Sequence, residues 1–154
     1  MKVRMVALVC ALLVGIAAGP GAARAQDVST AEQTQLAGPW HGNWTAPEGW
    51  LYEGVMRLRI GSSGIVEGEI NWTLRTAARD REQAKIGMSG TEYIRGTYYA
   101  LAGALMLEGY KKDDPNAVIG LDTYRLIASP DRKALAGFTA HGGRWNAQML
   151  LTHQ

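Results

Sequence analysis

Five carboxylates sit in segments that read as extended chain: Glu67, Glu69, Glu92, Glu108 and Asp122. Two of them on one face would be the minimum apparatus for acid–base work. Glu67 and Glu69 alternate with apolar neighbours and so point to water. Asp122 opens a face that continues through Tyr124, Leu126 and Ala128, which is assigned inward. An inward aspartate needs a partner, here predicted to be a tyrosine or an arginine such as Arg95 or Arg125. It reads first as a satisfied polar pair at one end of the fold, then as an anchor for a ligand, and last as a catalytic acid. The three histidines, His41, His141 and His153, share no ligand spacing and read as solvated or turn residues. No Gly-x-Ser-x-Gly elbow or phosphate-cradling glycine loop occurs. No catalytic residue, metal or cofactor is therefore assigned, and enzyme function using Asp122 is the least favoured reading.

The aromatic residues carry the main hint of function. Five tryptophans and six tyrosines stand beside a single phenylalanine. Such side chains offer a large apolar body with a polar handle. Trp44, Tyr52, Trp72, Tyr98, Tyr124 and Trp145 are the candidate walls of a ligand pocket, with Asp122 as the orienting group. The same residues also fill small barrels. A filled core is placed ahead of a pocket, since a small barrel has room for either.

The elements that must position these groups follow from period-two alternation. In Gly64–Leu74, Val66, Gly68, Ile70, Trp72 and Leu74 share one face, and Glu67, Glu69, Asn71 and Thr73 the other. The same pattern predicts strands over 38–45, 50–60, 65–74, 88–99, 101–111, 118–128, 134–140 and 144–152. Turn residues separate them, as in Ala46-Pro47-Glu48-Gly49 and Gly61-Ser62-Ser63-Gly64. The segment Thr76–Gly87 breaks the rhythm. It reads as a solvated loop with one or two helical turns, ahead of a lid over a cavity mouth.

Strands joined by short turns must be antiparallel. Eight of them, with Gly68, Gly96, Gly109 and Gly137 inside strands, predict an all-β, up-and-down barrel over residues 38–152. An open β-sandwich is the alternative. Arg57, Arg59, Glu67, Glu69 and Asn71 stand on the face opposite the Trp, Ile, Leu and Val residues. That is the reverse of a transmembrane barrel, so membrane insertion of this domain is not expected.

The first 25 residues read as a cleaved signal peptide. Lys2 and Arg4 precede an apolar run from Met5 to Ala18, and Ala23-Arg24-Ala25 is a small-x-small cleavage site. Residues 26–37 follow as a frayed tail or short helix. Cleavage removes Cys10, the sole cysteine, and with it any thiol chemistry. It also removes Lys2, Arg4 and Arg24, leaving 13 basic against 14 acidic residues and a net charge of −1. Nothing electrostatic then favours nucleic acid as a partner. The expected location is exported, periplasmic or secreted.

Gly38-Pro39-Trp40, Val66-Glu67-Gly68-Glu69-Ile70, Tyr93-Ile94-Arg95-Gly96-Thr97-Tyr98 and Asn146–Thr152 resemble strands of the avidin family and, more distantly, of lipocalins. The resemblance spans Gly38–Thr152 and implies a small barrel. It departs at the biotin contacts: Gly42 stands where that family places a polar residue, Ile70 at an inward tyrosine and Met149 at a tryptophan. No biotin-binding residue carries over. The chain also resembles small exported bacterial proteins with Gly-x-Trp-x-Gly-x-Trp starts. The resulting expectation is a non-enzymatic barrel holding a small, partly apolar ligand in its mouth. The alternative is a filled barrel that binds another envelope protein.

Overall fold

Two-residue alternation around a closed sheet puts one side chain in two indoors. In the computed structural model, which describes residues 27–153, eight strands follow this rule: β1 (Trp40–Ala46), β2 (Trp50–Ile60), β3 (Ile65–Thr76), β4 (Ser89–Tyr99), β5 (Ala104–Asp113), β6 (Thr123–Ala128), β7 (Ala134–His141) and β8 (Arg144–His153). Each pairs antiparallel with the next, and β8 returns to β1 from Trp40↔His153 to Thr45↔Gln148. The fold is therefore a closed up-and-down barrel, not an open sandwich. The leader expected over residues 1–25 lies outside the described residues.

Close strand approach needs several of the in-strand glycines, Gly96 and Gly137 among them. A Cβ on Gly96 would lie 2.0 Å from the Met106 carbonyl oxygen, and one on Gly137 would lie 1.9 Å from that of Arg125. Neither distance is compatible with a side chain.

One end of the barrel is solid. Trp40, Met56, Ile70, Ile94, Leu105, Leu135 and Leu151 are fully buried there. Residues 27–37 are part of this end and not a frayed tail. The helix α1 (Thr30–Leu36) is capped by Ser29, whose Oγ accepts from the Glu32 N–H at 3.2 Å. It buries Leu36, and Val28 before it, against the barrel. Burying each of these side chains stabilises by about 1.5–3 kcal/mol. The Trp40 indole N–H donates to the Leu36 carbonyl at 3.0 Å, and the Leu58 N–H to that of Ala37 at 2.8 Å.

The other end flares. Three registers slip by one residue, leaving Arg75 in β3, Tyr110 in β5 and Asn146 in β8 as extra residues. All three bulges lie at the same end. Bulges bend their strands and reverse the inside–outside parity beyond them. Two expected strands also begin late. Residues 100–102 form a 3₁₀ turn with Leu101 exposed, so β5 starts at Ala104. Residues 118–122 form no strand, although the Gly109 N–H donates to the Asp122 carbonyl at 2.8 Å. The Asp114 carboxylate accepts from the N–H groups of Val118 and Ile119 at 2.8 and 3.0 Å, folding them as a loop into the flared end.

The outer face carries exposed ion pairs such as Arg95–Glu108 at 2.8 Å and Arg59–Glu67 at 3.5 Å. On β5–β8 it is less polar than the alternation implied. Met106, Ile127, Phe138 and Leu150 all stand exposed. No helix among the described residues is long and apolar enough to cross a membrane.

Candidate functional site

The flared end encloses a chamber of about 690 Å³. The apolar packing of the solid end therefore does not extend through the flared end. Four predicted wall residues line the chamber: Trp44 from β1, Tyr52 from β2, Trp72 from β3 and Tyr124 from β6. Trp44 and Tyr52 meet edge to face with ring centres 5.4 Å apart, and Tyr52 meets Trp72 at 6.4 Å. Each polar handle is fixed. Trp44 Nε1 donates to Thr139 Oγ1 at 2.6 Å, and the Tyr52 hydroxyl to the Val118 carbonyl at 2.6 Å.

At the base of the chamber sits Glu92, 1% exposed. Its Oε2 accepts from Trp72 Nε1 at 3.2 Å and from the Tyr124 hydroxyl; its Oε1 accepts from the Asp122 N–H at 2.9 Å. All three donors are neutral. Burial pushes this carboxyl up to about 7, a rise that the neighbouring Asp122 charge reinforces and the three donors only partly offset. Burial also keeps the phenols protonated. Tyr52 is pushed up to about 12, and Tyr124 well above its ordinary value.

The site depends on two missing side chains. A Cβ on Gly109 would fall 1.8 Å from Glu92 Oε1, and one on Gly54 would fall 2.3 Å from the Trp72 ring. The strands are bare where the carboxylate and the indole need room.

Asp122 lies beside Glu92, with its side chain 13% exposed. The predicted arginine and tyrosine partners are wrong. Arg95 pairs with Glu108, and Arg125 lies outside over the Trp145 ring at 4.4 Å. Asp122 Oδ1 instead faces His141 Nδ1 at 3.0 Å, and Oδ2 accepts from the Thr139 hydroxyl at 3.4 Å. Burial pushes this carboxyl up, against the pull of His141 and Thr139. His141 is therefore more than a turn residue. Nor is His153 solvated: it packs edge-on against Trp40 at 4.9 Å, and its Nε2 is buried.

Two predicted wall residues are elsewhere. Trp145 is on the outer face, 39% exposed, because the Asn146 bulge reverses its parity. Tyr98 points inward at the solid end, where its hydroxyl donates to Glu32. That hydroxyl, with Arg132 behind it, outweighs burial and holds the Glu32 carboxyl below its ordinary value. The sequence pattern assigns no role to Glu92, the carboxylate at the base of the chamber. Its signal was its parity with Ile94, Gly96 and Tyr98.

Residues 76–87 reach the mouth. Ala78, Arg79 and Glu82 form part of the chamber wall. Lys85 donates to the Ala117 carbonyl at 3.0 Å and pairs with Glu82 at 2.7 Å, tying this loop to the one after β5. The segment is thus partly solvated and partly wall. Lys112, turned inward beyond the Tyr110 bulge, is held by Asp114 at 3.1 Å and by the Ile119 carbonyl. Burial raises the Asp114 carboxyl, but the Val118 and Ile119 N–H groups and Lys112 outweigh it and leave it lowered. Among the described residues, no group of three or more His, Cys, Asp or Glu is placed to hold a metal ion.

No protein-family model matches this chain, and no curated protein matches it.

Proposed function

We propose that this chain is an exported, non-enzymatic barrel that binds one small, partly apolar molecule in its open end. One observation carries the reading: the unfilled chamber of about 690 Å³, walled by Trp44, Tyr52, Trp72 and Tyr124 and based on the buried Glu92. Ligand pockets are typically ~300–1,000 Å³, mostly apolar, with a few fixed polar groups. The wall side chains are locked by hydrogen bonds, so little ordering cost opposes binding.

Tryptophan emission reads occupancy directly, because Trp44, Trp50 and Trp72 all line the chamber. A panel of small amphiphilic molecules titrated into the protein is expected to yield at least one saturable quench or blue shift. The same ligand is expected to leave a Trp44→Phe, Trp50→Phe, Trp72→Phe variant spectrally unchanged while calorimetry still shows binding. A panel that gives no saturable response by either method contradicts the proposal.

The second reading, docking of another envelope protein, has its own observation. Ile127, Ala136 and Leu150 are register neighbours on β6–β8, and with Phe138 they make an exposed apolar row. This reading needs no occupied chamber. A silent ligand titration together with a captured envelope protein favours it over the first.

A further inference from the structure

We propose that the chamber selects a protonated amine on an apolar or aromatic body. The ammonium group sits against the Asp122 and Glu92 carboxylates, and the body lies along Trp44, Tyr52 and Trp72. This rests on the ligand-binding reading and adds the chemical class.

The inference follows from which hydrogen-bonding capacity is left over. The donors that surround the base are already committed. Trp44 gives its N–H to Thr139, Tyr52 its hydroxyl to Val118, and Trp72 and Tyr124 theirs to Glu92. Thr139 gives its own proton to Asp122. Lys112, the cation that faces inward opposite Glu92, is held by Asp114 and the Ile119 carbonyl. The base is left with acceptors. Two carboxylates have four oxygens and about eight lone-pair sites. Five contacts occupy them: three on Glu92, and those of Thr139 and His141 on Asp122.

A ligand that donates hydrogen bonds is therefore the complement. An anion would meet two like charges and no free donor at this depth. Arg79 and Arg144 reach the chamber only at its mouth, from the loop after β3 and from the first residue of β8. A neutral body would suit the walls but leave the acceptors unused. A cation satisfies both, because aromatic faces attract positive charge once water is excluded, and a buried carboxylate is costly unless paired. Asp122 is the primary contact, being the more open of the two carboxylates. His141 covers one of its oxygens from the solvent side, with its own side chain 68% exposed.

Three probes of matched shape isolate the charge: phenethylammonium, phenethyl alcohol and phenylacetate. Each is titrated calorimetrically into the protein above neutral pH. The ammonium probe is expected to bind at least about tenfold more tightly than the alcohol, a gap of about 1.4 kcal/mol, and phenylacetate most weakly. Asp122→Asn should remove most of the ammonium preference and leave the alcohol affinity within about twofold, since a charge contact is lost while the apolar walls stay. Glu92→Gln, which keeps the side-chain shape, should narrow the preference in the same direction. Equal binding of ammonium and alcohol overturns the amine inference and leaves the pocket reading standing. No binding by any of the three also overturns it, and the wider panel then decides whether the chamber is a ligand site at all. Preference for phenylacetate overturns it outright.

Discussion

Trp40→Ala is expected to lower the unfolding free energy by about 3–5 kcal/mol, the usual cost of emptying a buried Trp or Phe site. Trp40 is fully buried, and its indole does three things at once. It fills the solid end of the barrel, it donates to the Leu36 carbonyl that ends α1, and it supports His153 of the closing strand. The β1–β8 pair begins at Trp40↔His153. Its loss therefore weakens the helical plug and the seam together. Urea titration of the variant against the parent gives the number. A change below about 1 kcal/mol would mean that the plug does not secure the barrel. The ligand binding proposed for the far end should persist in whatever fraction of the variant stays folded.

Raising the pH from 5 to 8 should weaken the fold, and Glu92 should be the reason. Its carboxyl moves from the ordinary 4.5 to about 7 in the folded protein. The folded state thus holds this proton more tightly than the unfolded chain does. The associated stability is fully present below about 4.5 and is lost as the pH climbs through 7. At about 1.4 kcal/mol per pH unit, the loss is about 2–3 kcal/mol across that window. Trp72, Tyr124, Lys112 and Asp122 face Glu92 from β3, β6, β5 and the loop before β6. Asp122 is raised as well and adds in the same direction. Glu32 and Asp114 are lowered, so their contributions fall below this window. Denaturant curves at both pH values, for the parent and for Glu92→Gln, isolate the effect. The parent should lose about 2–3 kcal/mol relative to the variant. A difference that stays constant, or that grows in the parent's favour, would show that Glu92 is not held as a buried, easily protonated acid.

Much of the barrel was legible because its strands alternate cleanly where both ends are regular. Val66, Ile70 and Trp72 on β3 point inward as the parity requires. Closure followed from eight short-turned strands and is confirmed by the β1–β8 pairing. The failures cluster at the bulges. Alternation propagates a face assignment along a strand, and one extra residue reverses everything beyond it. Asn146 put Trp145 outdoors against the assignment, and Tyr110 brought Lys112 in. No residue type at either position announces the slip. Tyr98 failed differently. Its face was right, but alternation does not say which end of the barrel remains open. Asp122 is legible because it opens a face that continues through Tyr124, Leu126 and Ala128. Its partners His141 and Thr139 come from the neighbouring strand and depend on register. Glu92 was visible by the same test as Asp122. It needs the bare Gly109 opposite to fit, a relation between strands that no single segment displays.

The two halves of the barrel then have distinct tasks. Apolar side chains and α1 close one end and supply rigidity. The three bulges open the other, and the aromatic walls there are locked by hydrogen bonds. The acids at its base are tolerated because four neutral donors and His141 are hydrogen-bonded to them.

The five indole N–H resonances of an ¹⁵N-labelled sample test this arrangement directly. Phenethylammonium added to saturation should shift the Trp44 and Trp72 signals, since both indoles face the chamber and Trp72 donates to Glu92. Trp40, sealed behind the core, and Trp145, on the outer wall beneath Arg125, should not move. Shifts confined to Trp145, or none among Trp44 and Trp72 while calorimetry records binding, would place the ligand outside the barrel and contradict the account.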